Sequence, residues 1–179
     1  GLRKMDAYDG MSLCGGLVFF APVALLVRTQ AGISETRFFL LQALLSGIIA
    51  LGELPTGHLT DRMGYRRSLI LAQLLLLAAR GLLLAAFLLR SLPLFVAEAL
   101  VEGISACLSS GTASAYLYAL YGESDYLPKA AHAANFGTAG FLLSTAAYAL
   151  LYQYFGLTGL LAATVLAGAA GFVCSLFLR

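Results

Sequence analysis

The sequence predicts an all-α integral membrane protein: six transmembrane helices joined by short connections, with both termini on the cytoplasmic side. Three observations predict it. Of 179 residues, 60% are hydrophobic and only 11% charged, with a mean hydropathy of +0.87, whereas soluble domains carry roughly a quarter charged residues. The apolar residues gather in runs of about 20, the length that carries a helix across about 30 Å of hydrocarbon. The few charges sit mostly between these runs, and the basic ones favour alternate gaps.

The spans follow in order. Gly10 to Val27 forms the first, with Pro22 expected to kink it. Arg3 and Lys4 ahead of an apolar run have the look of a secretory signal, but no small-residue cleavage pattern follows Val27, so the run is expected to stay as a membrane helix. Phe38 to Thr56 is the second span and Ser68 to Leu89 the third; the charged stretch Gly57 to Arg67 between them is too short for anything but an antiparallel connection. Leu92 to Tyr118, Ala130 to Tyr152 and Leu157 to Leu178 complete the set, and no connection leaves room for a soluble domain.

Orientation follows from basic residues. Arg3, Lys4, Arg62, Arg66, Arg67, Lys129 and Arg179 fall on one side, against Arg28, Arg37 and Arg90 on the other, so the first side is expected to be cytoplasmic. So lopsided a bias argues against dual topology, and two associating copies should lie parallel.

The remaining composition excludes other classes. A net charge of +2 without a Lys/Arg-rich run offers nothing to nucleic acid. Cys14, Cys107 and Cys174 lie far apart within apolar runs and read as small core residues, not as a disulfide framework or metal site. No cofactor is expected. His58 and His132 have no metal-ligand spacing, neither Ser nor Cys stands beside a plausible base, and no glycine loop could cradle phosphate, so catalysis is not expected. Small residues recur at four-residue spacing, Ala163, Ala167 and Gly171 on the last span, and Ser110 with Ser114 and Gly111 with Ala115 on the fourth, where helices can pack closely.

Ionisable groups at bilayer depth cost about 2.5–3.5 kcal/mol each, which makes them candidates for function. At about 100° per residue, Glu98, Glu102, Ser105, Ser109, Thr112 and Tyr116 lie along one line of the fourth span. Such a stripe either lines water and a substrate path or glues helices together as a buried polar seam. Gln42, Ser46, Glu53 and Thr56 make a weaker stripe on the second span, and the fifth adds His132, Asn135, Thr138 and Thr145. Arg80 lies ten residues before Arg90, while Glu98 and Glu102 lie eight and twelve after it, so folding that hairpin brings Arg80 to the depth of both acids. Arg80 is expected to pair with Glu98 or Glu102, leaving the other acid without a basic partner and free to carry a proton. An ion-pair triad with a purely structural role is the alternative.

The connection carries more than charge. Gly57-x-Leu59-x-Asp61-Arg62-x-Gly64-x-Arg66-Arg67, led in by Glu53-Leu54-Pro55-Thr56, resembles the signature between the second and third helices of the major facilitator superfamily. Ser110-Gly111-Thr112-x-Ser114-Ala115-Tyr116-Leu117-Tyr118 is similar to a fourth-helix stretch of several bacterial members, with Ala119 where an aspartate is usual. The resemblance covers about residues 15–125 well and the remainder only by span count. It implies the amino-terminal six-helix half of such a transporter, a single membrane domain made of two inverted three-helix units, residues 10–90 and 91–179. It also implies that Gly57, Asp61, Arg62, Gly64, Arg66 and Arg67 govern switching between access states, and that spans one, two, four and five line a cavity while three and six lie outside. Physically, the glycines permit a sharp turn, and Asp61 can cap the following amides or hold an arginine. Two departures stand out: Ala99 occupies the position of an arginine that many proton-coupled members place four residues before a glycine, and Glu102 replaces a glutamine. The Gly-Pro signature of drug exporters is absent from the fifth span.

The expected function is a half-size secondary transporter in the inner (plasma) membrane, moving a small solute by alternating access as a parallel homodimer, with proton coupling through Glu98 or Glu102. The lipid bilayer, a second identical copy and a small-molecule substrate are the expected partners, and nucleic acid is not. The alternative is a non-transporting membrane scaffold, or an isolated half that needs a separate partner half. The expected substrate and coupling cavity comprises Gln42, Glu53, Glu98, Glu102, Ser105, Ser109, Thr112, Tyr116 and Asn135, with Arg80 as the ion-pairing residue.

Overall fold

The computed structural model describes residues 5–179. Arg3 and Lys4, counted above for orientation, lie outside the described residues. All regular elements among them are helical: α1 (Ala7–Gly16), a 3-10 turn (Ala21–Val23), α2 (Ala24–Gln30), α3 (Glu35–Met63), α4 (Tyr65–Leu89) and α5 (Leu92–Leu176). Ala7–Gln30, α3, α4 and α5 are each long and apolar enough to cross a membrane, the coarse feature that composition predicts.

Local chemistry sets the boundaries. Asp6 caps α1 by accepting from the Asp9 amide, while the Asp9 side chain accepts from the Asp6 amide in return. Ser34 caps α3 and Ser91 caps α5 through their hydroxyl oxygens. The first expected span is interrupted more severely than a kink: α1 ends at Gly16, and helix resumes only through the 3-10 turn that contains Pro22. Proline at the first turn of a helix costs nothing because its missing amide would be unpaired anyway, so Pro22 starts the second piece in place of bending a continuous one.

The expected loop at 57–67 is almost wholly helical. α3 continues to Met63 and α4 starts at Tyr65, so the turn is made by Gly64 alone, at φ 87° and ψ 162°. Pro55 is accommodated inside α3, with Thr56 hydrogen-bonding back to the Gly52 and Glu53 carbonyls. α5 is likewise not one rod. Gly122 and Gly156 hold positive φ values of 78° and 69° and divide it into runs 92–121, 123–155 and 157–176. Single glycines therefore turn the chain where the sequence suggested loops, because only glycine adopts this backbone without strain.

Two apolar clusters organise the packing. One joins Phe20, Val27, Ile33, Leu41, Leu83, Phe95 and Leu157. The other joins Met11, Leu69, Tyr116, Leu117 and Leu178. Leu69 and Leu83 share α4, which puts the clusters about 21 Å apart along its axis. α4 and the first and last runs of α5 supply much of the interior, whereas α3 and the middle run of α5 show many exposed side chains.

Glycine sets the closest approaches. Cβ atoms added at Gly16 or Gly140 would run into the backbone of Gly137 or Leu13, so α1 and the middle run of α5 meet backbone to backbone. Ile48 of α3 seats over Gly103, and Cys107 seats over Gly52. Of the small-residue rows, Ala167 and Gly171 are buried in contact as expected, but Ser110, Gly111 and Ser114 are exposed.

Candidate functional site

The charged groups inside the bundle gather beside the cluster around Phe95. α2 supplies Arg28, α4 supplies Arg80, and the first run of α5 supplies Glu98 and Glu102 one turn apart. Arg28 and Glu98 are almost wholly buried, 4% and 2% exposed, and Arg28 Nη2 lies 3.7 Å from Glu98 Oε2. Arg80 Nη1 lies 3.4 Å from Glu102 Oε1. Helical spacing explains the set: acids at i and i+4 on one face meet one arginine from each flanking helix.

Of the two partners the sequence allows Arg80, the structure selects Glu102. It corrects the expectation that the other acid lacks a basic partner, because Arg28 fills that role for Glu98. The count of basic residues places Arg28 with Arg37 and Arg90, in a connection on the side opposite the cytoplasmic one. Arg28 lies inside because helix continues past Val27 to Gln30, and its guanidinium sits 6.0, 5.3 and 5.8 Å from the ring centroids of Phe20, Phe38 and Phe95. A first span drawn three residues longer would have exposed the signal.

Beside these pairs lies a cavity of about 320 Å³, walled by Val18, Phe20, Ala21, Ala24, Arg28, Phe38, Gln42, Leu45, Arg80 and Glu102. Its apolar and aromatic surface with few convergent polar groups is the composition of a small-molecule site. It contains Gln42, Glu102 and Arg80 from the expected set, with Glu98 behind Arg28. Arg80 comes from the third expected span, so that helix contributes to the wall and does not lie wholly outside.

The rest of the fourth-span stripe does not line this cavity. Ser105 donates to the Ala72 carbonyl at 2.7 Å, Thr112 shares a 2.9 Å hydrogen bond with Thr60, and Tyr116 donates to the Arg179 carbonyl at 3.2 Å. These are the contacts of the alternative reading, a polar seam that joins helices. Ser109 is half-buried and apart from the cavity, and Glu53 and Asn135 are exposed on α3 and on the middle run of α5.

At the opposite end, Arg66 Nε and Nη2 donate to the Leu178 and Leu176 carbonyls, both at 2.8 Å, satisfying groups that the end of α5 leaves open. Gly57, Asp61, Arg62 and Arg67 are exposed. A second charged cluster that the sequence reading missed lies nearby. Lys129 Nζ reaches Asp6 Oδ2 at 2.8 Å and Asp9 Oδ1 at 2.9 Å, and His132 Nε2 lies 3.5 Å from Asp9 Oδ2. Partial burial pushes Asp6 up, but the Lys129 ammonium and the Asp9 amide outweigh it and hold the carboxyl below its ordinary value. Lys129 itself is only 3% exposed between the two carboxylates. The Asp-x-x-Asp capping pattern before an apolar run was the available signal.

Four acids thus stand against arginine or lysine partners, with His132 beside one of them, Asp9, and no group of His, Cys, Asp and Glu able to hold a metal occurs among the described residues. Comparison with protein-family models and with curated proteins finds no match to this chain.

Proposed function

We propose that this chain is a six-helix unit of a secondary transporter of the major facilitator type, moving a small solute across the inner (plasma) membrane by alternating access. The six spans are Ala7–Gln30, α3, α4 and the three runs of α5, arranged as two inverted three-helix units with both ends cytoplasmic. The observation that carries the reading is the cavity beside the buried charges: Arg28, Arg80 and Glu102 share a wall with Gln42 and aromatic rings, within the apolar part of the bundle. Ion pairs at that depth cost free energy that packing alone would not select. The resemblance of Gly57 to Arg67 to the family signature supports the same conclusion.

The working form is a parallel pair. α3 and the middle run of α5 expose Leu51, Leu54, Phe141, Leu142 and Leu143 together with Glu53, Ser46 and Asn135. Lipid would tolerate the apolar set and penalise Glu53, so a second six-helix unit covering that face accounts for both. An identical copy related by a two-fold axis is the simplest such unit. Proton coupling is assigned to Glu98 or Glu102.

A scaffold without transport is the second reading, favoured by the seam in which Ser105, Thr112 and Tyr116 bond to neighbouring helices. A flux screen in proteoliposomes, run with and without a pH gradient, separates the two. Solute movement that is lost in Glu102→Gln supports transport; purified, folded protein that moves no solute class under either condition supports the scaffold.

A further inference from the structure

We infer that the cavity between α2, α3, α4 and the first run of α5 binds a small organic carboxylate with an apolar body, gripped by Arg28 and Arg80. The inference rests on the transporter reading for its purpose, since it names the class of solute, but the binding itself can be measured without transport.

The first ground is an excess of donors. Each guanidinium offers a fork of N–H groups. Arg28 Nη1 donates to the Ala24 carbonyl at 3.1 Å, while its nearest carboxylate oxygen stands 3.7 Å away, beyond hydrogen-bond distance. Its Nε is buried without a hydrogen-bond partner, and so is Oε1 of the neighbouring Glu98, so the two side chains stand beside each other without closing a hydrogen bond. Arg80 makes one long contact, 3.4 Å, to Glu102. A buried donor left unpaired costs about 1–3 kcal/mol, more on a charged group, so an acceptor that meets these two under-used guanidinium groups more closely than Glu98 and Glu102 do is favoured.

Geometry gives the second ground. Phe20, Phe38 and Phe95 surround the Arg28 guanidinium, and Phe20 also lies 5.3 Å from that of Arg80. Aromatic faces occupy the flat sides of a guanidinium and leave its N–H edges free, the edges that bind a carboxylate bidentately. Charge placement gives the third. Glu98 is absent from the cavity wall, so Glu102 alone faces two arginines there. An anion entering can take the Arg80 contact from Glu102, whereas a cation would meet two like charges to reach one acid. The remaining wall, Val18, Ala21, Ala24 and Leu45 with the rings, suits an apolar or aromatic body, and about 320 Å³ is enough for a ring bearing one carboxylate.

The test uses the full chain in detergent or nanodiscs, with benzoate, its neutral relative benzamide, its cationic relative benzylamine, and inorganic phosphate as probes. Binding is read by equilibrium binding of labelled benzoate and by thermal unfolding with a thiol-reactive dye, which reports exposure of the buried Cys107. Benzoate should bind saturably and raise the unfolding midpoint, and the other three should not. Arg28→Lys and Arg80→Lys, which keep the charge and remove the fork, should each weaken benzoate by about tenfold to a hundredfold while remaining folded. Benzamide or benzylamine binding as well as benzoate overturns the inference, as does phosphate binding in preference to it. So does unchanged benzoate affinity in both lysine variants. If benzoate binds as described but proteoliposomes move neither it nor any other solute, the transporter reading falls and the site stands. If solutes move and benzoate does not bind, the site falls and transport stands.

Discussion

Arg28 is held by what it stands beside, since removing its side chain leaves the Glu98 carboxyl 2% exposed and without its partner. Arg28→Ala should therefore destabilise the protein by about 1–3 kcal/mol, and Arg28→Ala combined with Glu98→Gln should recover part of it, because a buried carboxyl left without its partner is what costs. Thermal unfolding of the two variants measures the difference, and equal instability in both would show that lost ring packing, not the unpartnered carboxyl, dominates. At the other cluster, linkage gives a direction with pH. Asp6 has a folded value below its ordinary 3.8, so its contribution is present above that pH and is lost as pH falls further. This share of the stability should thus fade only below about pH 4, and Lys129→Met should weaken that acid edge without abolishing it, because the Asp9 amide also holds the carboxyl down; an unaltered acid limb in that variant would discount the bridge. The sequence disclosed Glu98, Glu102 and Arg80 because an acid or arginine inside an apolar run stands out. It hid Arg28 and Lys129 because each lies at the edge of a run, where a basic residue also serves as a topological signal, and only the end of the helix decides between the two roles.

Glycine does at the element scale what loops do in soluble proteins. Gly64, Gly122 and Gly156 each reverse the chain at positive φ, so an expectation of charged connecting loops fails while the positions of the reversals hold. The spans read from the sequence stop at Thr56 and Tyr118, where polar residues begin, but helix continues to Met63 and to residue 121, and a one-residue break leaves no gap to find. The α1 contact with the middle run of α5 shows a second use, since Gly16 and Gly140 let backbones touch. Gly16→Leu and Gly140→Leu should each separate these helices and lower the yield of folded, monodisperse protein in size-exclusion chromatography. Gly15→Ala, next to Gly16 but with nothing within 4 Å, should be tolerated. If all three behave alike, the close approach is not what holds α1 in place. The small-residue rows named from sequence were right on the last run and wrong on the first run of α5, because four-residue spacing specifies a face and not what the face meets.

The bundle buries Arg28 with Glu98 and Lys129 with Asp9, yet Glu53 lies on an exposed face of α3 beside Leu51 and Leu54. In lipid alone that acid costs about 2.5–3.5 kcal/mol near a helix centre, a sizeable share of the stability a domain of this size possesses. The second unit proposed above would remove α3 and the middle run of α5 from acyl chains and could offer Glu53 polar company. The positive-inside bias fixes the direction of that unit if it is a copy, because both protomers must put Arg62, Arg66 and Arg67 on the same side. Single cysteines at Leu54 and at Leu143, each in a background with Cys14, Cys107 and Cys174 replaced, test the pairing in native-like bilayers. At least one of these positions, or an equimolar mixture of the two proteins, should yield a dimer-sized cross-linked species, and labelling from the two sides of the membrane should find both protomers in one orientation. Glu53→Leu should weaken the pairing if polar company is what the second unit supplies, and strengthen it if the acid serves only to keep copies apart. Protein that stays monomeric in lipid, with neither position cross-linking, would leave α3 facing acyl chains and would remove the ground for alternating access by two units.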